Sequence, residues 1–172
     1  LDPYYRVFFE GEGQVDVGPG REQIRGLFDG LEKNGAAKLD AYLKTASYKY
    51  DVAVGDFLYR EYRNIFQFLN PRLLLEGSRL GVFGSLHRHV KKYFSDHRVQ
   101  KILEYAMVFL GNSPSNAPSL YSLMSHVDLV QGVFFPEGGM GSMVLGFEKL
   151  MDDLGVKVEY DSDVTRIRAE KG

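Results

Sequence analysis

The sequence predicts a helix-rich α+β chain with a small mixed or antiparallel sheet. Three observations carry that expectation: an alternating stretch near the start that turns on glycines, apolar residues at helical spacing through the middle, and a strand, glycine turn, helix, strand pattern in the last third. A length of 172 residues suffices for one domain with a real core. With 44% hydrophobic and 26% charged residues, disorder is excluded as the dominant state. No internal period of solenoid or propeller type is present.

Taken in order, Tyr5, Val7 and Phe9 alternate with their neighbours, as do Val15 and Val17, across Gly11-Glu12-Gly13. That predicts a β-hairpin over residues 4–17. After Gly18-Pro19-Gly20, Ile24, Leu27, Phe28 and Leu31 recur at helical offsets, and Asn34-Gly35 supplies a left-handed stop. Leu39, Tyr42, Leu43, Ala46 and Tyr50 predict a second helix packed on the first as a hairpin. Residues 57–80 mix aromatics, arginines and Leu73-Leu74-Leu75 around Pro71 and show no clean period. Helical spacing returns in Phe83, Leu86, Val90 and Phe94, then in Val99, Ile102, Leu103, Ala106 and Leu110, with Ser95-Asp96 between. Gly111 to Pro118 reads as a loop, and Leu120 to Val130 as a short apolar helix, so helices extend to about residue 130. A strand over 132–135, a glycine turn, a helix through Phe147, Leu150, Met151 and Leu154, and alternating Val156, Val158 and Tyr160 then predict a β-α-β unit ending near Val164 to Arg168.

Composition narrows the function classes. With 21 basic and 23 acidic residues, a net charge of -2 and no block of like charge, nucleic acid is not expected as a partner. The absence of cysteine rules out disulfides and Cys-based metal or redox sites, and fits a reducing compartment, so cytoplasm is the default location. No apolar run approaches the roughly 20 residues that cross a bilayer, which leaves only peripheral membrane contact. Leu1 opens directly on a strand-like stretch, which reads as an interior point of a longer protein.

The turn Pro136-Glu137-Gly138-Gly139-Met140-Gly141-Ser142 lies between a predicted strand and helix, where bare N–H groups and the helix dipole can face an anion. Glu159 falls 20 positions after Gly139, where a ribose-binding acid would sit, yet Val144 replaces the third glycine of the dinucleotide fingerprint. The turn therefore reads either as a tight structural turn or as a point of close backbone approach to a ligand. His87, His89, His97 and His126 lack metal-ligand spacing, and His87 shares an apolar stripe that favours a hydrogen-bonded, partly buried ring. No metal site is expected. Asp96 precedes a helical run and is expected to cap it, with proton transfer as the sharper alternative. No G-x-S-x-G or comparable nucleophile motif is present. The 12 Phe and 11 Tyr supply core, or the lining of a pocket for a long apolar ligand.

Four strings occur in order: Leu1-Asp2-Pro3-Tyr4-Tyr5-Arg6-Val7-Phe8-Phe9, Tyr93-Phe94-Ser95-Asp96, Phe109-Leu110-Gly111-Asn112-Ser113-Pro114 and Phe135-Pro136-Glu137-Gly138-Gly139-Met140. Tyr121-Ser122-Leu123-Met124, Leu154-Gly155-Val156 and Val164 with Ile167 join them. Together they resemble FAD-dependent carotenoid (phytoene-type) desaturases, a family similar to amine-oxidase flavoproteins, over nearly the whole chain. The resemblance implies that residues 1–139 are a substrate-binding domain and 140–172 a helix and strands returning to the FAD-binding domain. It implies dehydrogenation of a long isoprenoid such as phytoene, with hydride passing to the flavin N5. Gly138, Gly139 and Val164 are then expected near the cofactor, Phe134, Phe135, Tyr121 and Met124 near the apolar substrate, and Asp96 at an acidic position linked to proton handling, although His97-Arg98-Val99 do not align cleanly. The remaining FAD-domain segments of the same protein are the implied partners, and the chain by itself is not expected to hold FAD or be active.

Other readings stand beside this one. One is a related flavoprotein acting on retinoids, other polyenes or amines, because substrate identity is set by pocket shape. A standalone module binding an apolar ligand or a membrane surface through Leu73 to Leu75 is a different class, and a nucleotide-binding β-α-β built on Gly139, Gly141 and Glu159 is a third.

Overall fold

A computed structural model describes residues 1–59, 61, 64, 77 and 79–169. The region around Leu73 to Leu75 lies outside the described residues, and so does most of the stretch that showed no period.

The α+β expectation holds, with helices dominating a two-stranded antiparallel sheet. Strands β1 (Tyr5–Phe9) and β2 (Gly13–Val17) pair with Tyr5 opposite Val17 and Val7 opposite Val15. Because strand side chains alternate faces, Val15 and Val17 point into the core while Gln14 and Asp16 face water, and Asp16 pairs with Arg6 directly across the ladder at 2.5 Å.

Helix α1 (Arg21–Leu31) buries Ile24 and Phe28, and α2 (Gly35–Val52) buries Leu39, Tyr42, Leu43 and Ala46, as the spacing predicts. The corner between them is tight. Asn34 takes the left-handed conformation at φ 57, and a Cβ on Gly35 would lie 2.0 Å from the Phe28 carbonyl oxygen. Gly35 is therefore fixed by close packing and Asn34 by backbone angle. Glu32 locks the corner to the rest of the fold by accepting the Ser95 and Asp96 amides and pairing with Lys38.

The later helices are shorter than their apolar patterns. Helix α3 (Leu86–Lys91) begins after Phe83, which is 88% exposed, while Ser85 caps it. Helix α4 (His97–Glu104) tightens into a 3₁₀ segment, Tyr105–Leu110. The predicted helix from Leu120 to Val130 changes pitch twice: 3₁₀ over Ser119–Ser122, one α turn, α5 (Leu123–His126), then a π segment, Val127–Gln131. Its buried positions carry Ser119, Ser122, Ser125 and Asp128 beside Leu129, where the sequence pattern predicted an apolar face. The core gathers Val17, Phe28, Tyr42, Leu86, Phe94, Val99 and Ile102, with Phe94 edge-on to both Phe28 and Tyr42 at 5.7 and 6.0 Å.

The chain divides into two compact units, Leu1–Val133 and Phe134–Gly172. The second holds α6 (Met140–Asp153), which buries none of its residues. The strands predicted for 132–135, 156–160 and 164–168 do not form: those residues belong to no strand and have no ladder partners among the described residues. Alternation predicts which residues favour extended backbone, but a strand exists only when another strand satisfies its N–H and C=O groups, and the described residues supply none here.

Candidate functional site

The glycine turn forms as an abrupt entry into α6. Gly138 and Gly139 both lie at positive φ, 80 and 85, where side-chain-bearing residues are disfavoured by about 1–2 kcal/mol. The Gly139 amide donates to the Pro136 carbonyl at 3.0 Å, and Ser142 closes the turn by donating its amide and hydroxyl to the Gly139 carbonyl at 3.1 and 2.7 Å. A Cβ at Gly139 would meet nothing within 4 Å, so open space lies against the backbone there, and no side chain of the N-cap residue covers the helix end. Phe134 and Phe135 run into this turn at 85% and 58% exposure. Bare backbone that follows two exposed aromatic residues in the chain suits close approach of a flat, partly apolar group, and a flavin ring is such a group.

Val164 belongs to the same unit, outside any helix or strand, and is exposed. Tyr160 folds back onto α6 by donating to Glu148 at 2.7 Å. Glu159 pairs with Lys157 at 2.6 Å on the surface, and without flanking strands the nucleotide-binding β-α-β frame is not assembled among the described residues.

Asp96, Tyr121 and Met124 lie in the first unit. Asp96 caps α4: its Oδ1 accepts the Arg98 amide at 2.8 Å and its Oδ2 the Arg98 guanidinium at 2.7 Å. The Arg98 guanidinium, outweighing partial desolvation, holds the Asp96 carboxyl below the usual carboxylate range. Tyr121 and Met124 are half-buried against the core. His87 is also half-buried, its Nδ1 2.7 Å from the buried Glu104 carboxylate, as its stripe position predicted.

Two polar clusters escaped the sequence reading. Asp128 is buried and accepts the Tyr5 and Tyr105 hydroxyls at 2.7 and 3.0 Å, tying β1, the 3₁₀ segment and the π segment together. Burial raises the Asp128 pKa, against the opposing pull of the two hydroxyls, and burial likewise raises those of both tyrosines. Lys49 is 3% exposed; its ammonium donates to the Ser119 carbonyl and the Ser122 hydroxyl, both at 2.8 Å, and lies 3.5 Å from His89 Nε2. Burial, then the nearby Lys92, lowers its pKa to about 8. Burial also lowers His89 to about 4, with Lys49 and Lys92 adding to the effect. The signal for Lys49 was available: with Tyr42 and Ala46 it completes an i, i+4, i+7 stripe. The signal for Asp128 was its place third after Ser125 in a run of polar residues at three-residue spacing.

A sequence profile of flavin containing amine oxidoreductases matches residues 3–172. The chain is 34% identical over 172 residues to a carotenoid 3,4-desaturase of Haloarcula japonica, covering 99% of this chain and 35% of that protein. It is 28% identical over 163 residues to a 4,4'-diapophytoene desaturase (4,4'-diaponeurosporene-forming) of Staphylococcus aureus strain Newman, covering 95% of this chain and 32% of that one. The chain thus spans about a third of the length of these curated relatives. It belongs to the flavin containing amine oxidoreductase family.

Proposed function

We propose that this chain forms the substrate-binding part, with a returning segment of the cofactor domain, of an FAD-dependent oxidoreductase that desaturates a long isoprenoid polyene. The observation that carries the reading is the glycine turn at Gly138 and Gly139, with open space at Gly139 and the exposed Phe134 and Phe135 just before it in sequence, in a chain whose relatives are named as carotenoid and diapophytoene desaturases.

When bound, FAD supplies the hydride acceptor at its N5, and the carbon next to the hydride donor gives up a proton. Gly138 and Gly139 would let the backbone approach the flavin without a side chain between, and Val164 would help hold the adenine end through its backbone. In the second unit Phe134 and Phe135 offer exposed apolar surface to the polyene, and in the first unit Tyr121 and Met124 are the residues proposed to contact it. A carboxylate stabilised as Asp96 is by its cap and by Arg98 is a weak base, which favours a capping role over proton transfer.

The test is the intact protein that carries this segment, purified and given FAD and phytoene. The expected result is a yellow protein that forms a desaturated polyene, with flavin retention lost in Gly139→Val. A colourless protein that takes up no FAD refutes the reading. Asp96→Asn keeps the helix cap while removing the basic oxygen; unchanged turnover is expected, and a large loss without loss of stability returns the proton-accepting role to Asp96.

A further inference from the structure

The first unit contains a cleft that the desaturase reading does not use. It has a volume of about 570 Å³ and is lined by Tyr4, Gly20, Arg21, Asp40, Leu43, Lys44, Ser47, Leu129 and Val130. That size lies within the range of small-molecule sites, roughly 300–1,000 Å³. One face of α2 forms its wall, because Asp40, Leu43, Lys44 and Ser47 recur at helical offsets; Tyr4, the start of α1 and the π segment close the other sides.

The lining divides by chemistry. Leu43 and Leu129, buried at 9% and 6% exposure, form an apolar floor that continues outward into Val130 at 52%. The rim is cationic. Asp40 is the single acidic lining residue, and it is already engaged by two guanidiniums, Arg21 at 3.0 Å and Arg25 in a closer pair. Arg25 also lies 3.7 Å from Glu22, so the two guanidiniums are balanced by two carboxylates, and the excess positive charge at the rim is Lys44, one turn further along α2, which has no carboxylate partner among the described residues. An apolar floor beneath the unneutralised Lys44 ammonium matches a ligand with one anionic end and an apolar body.

We propose that this cleft binds a monomeric anionic amphiphile, with the anionic head between Lys44 and Arg21 and the hydrocarbon part on Leu43, Leu129 and Val130. Arg21 keeps its bond to Asp40 and offers its remaining N–H groups, while Lys44 supplies a mobile point charge. The hydrocarbon part contributes through the apolar area it removes from water, so a head group with no tail gains little.

Isothermal titration of the 172-residue chain with decanoate, decanol and acetate tests this, with far-UV circular dichroism verifying native helix content in each variant. Saturable binding of one decanoate per chain is expected, at least tenfold tighter than decanol, with acetate silent. Lys44→Glu should weaken decanoate at least tenfold, Lys44→Arg should preserve it, and Val130→Asp, at an exposed position, should weaken it independently. The proposal is overturned if decanoate does not saturate, if decanol binds equally well, or if neither Lys44→Glu nor Val130→Asp changes the affinity. Binding to phosphatidylglycerol vesicles without binding of monomeric decanoate also overturns it, by assigning the face to a lipid surface.

Discussion

Replacing Lys49 with methionine should remove a pH dependence that the native chain carries between pH 7 and 10.5. In the folded protein Lys49 titrates near 8, against 10.5 for an ordinary lysine, because its ammonium is desolvated and lies near Lys92. Below pH 8 both states carry the proton and folding bears the full cost of burying the charge. Between 8 and 10.5 the unfolded chain holds more proton than the folded one, so stability rises with pH; above 10.5 both are neutral and the cost is gone. The gap of about 2.5 pH units, at about 1.4 kcal/mol each and discounted for residual solvation, makes this rise about 2–3 kcal/mol. Lys49→Met keeps a similar length of apolar stem, and Ser122 still donates to the Ser119 carbonyl at 2.8 Å. Urea unfolding of both proteins at pH 7, 8, 9 and 10 measures the difference, in which the titration of every other group cancels to first order. The native chain should gain on the variant as pH rises. Parallel pH profiles would show that Lys49 is not desolvated as its surroundings require.

His89 gives the acid counterpart: with a folded value of about 4 against 6.5, stability should be flat above pH 6.5 and fall as pH drops from 6.5 toward 4, and His89→Gln should flatten that limb in the same urea series. Asp128→Asn cannot accept both the Tyr5 and Tyr105 hydroxyls on equivalent oxygens, so one donor loses its partner and the urea midpoint should drop by an equivalent of about 1–3 kcal/mol. Gly35→Ala drives a Cβ against the Phe28 carbonyl and should cost more than about 2 kcal/mol, whereas Gly26→Ala, inside α1 with open space at its Cβ position, should stabilise by about 0.5–1 kcal/mol; thermal melts of the pair with opposite signs support the packing account.

Local pattern was enough for the hairpin, the first two helices, the Asp96 cap and the tight turn before α6, because each depends on interactions within a few residues. Val15 and Val17 alternate, Ile24 and Phe28 share a stripe, Asn34 tolerates a left-handed backbone, and Gly138 with Gly139 permits the sharp entry into α6. The ordered strings also placed the chain in its family, since they record shared residues and need no coordinates. Tertiary structure decided the rest. Helix ends moved inward where Phe83 and Leu110 found no core to bury them, and the apolar alternation of Val156, Val158 and Tyr160 gave no strand because pairing needs a second chain segment at the right distance. The interior positions of Lys49 and Asp128 depend on partners remote in sequence: Ser119 and Ser122 for the lysine, Tyr5 and Tyr105 for the carboxylate. The cleft beside Lys44 likewise exists only because Tyr4, α1, α2 and Leu129 meet in space. A residue's own chemistry is written in the sequence, but its solvation and charge balance are set by whatever folding brings within a few ångströms of it.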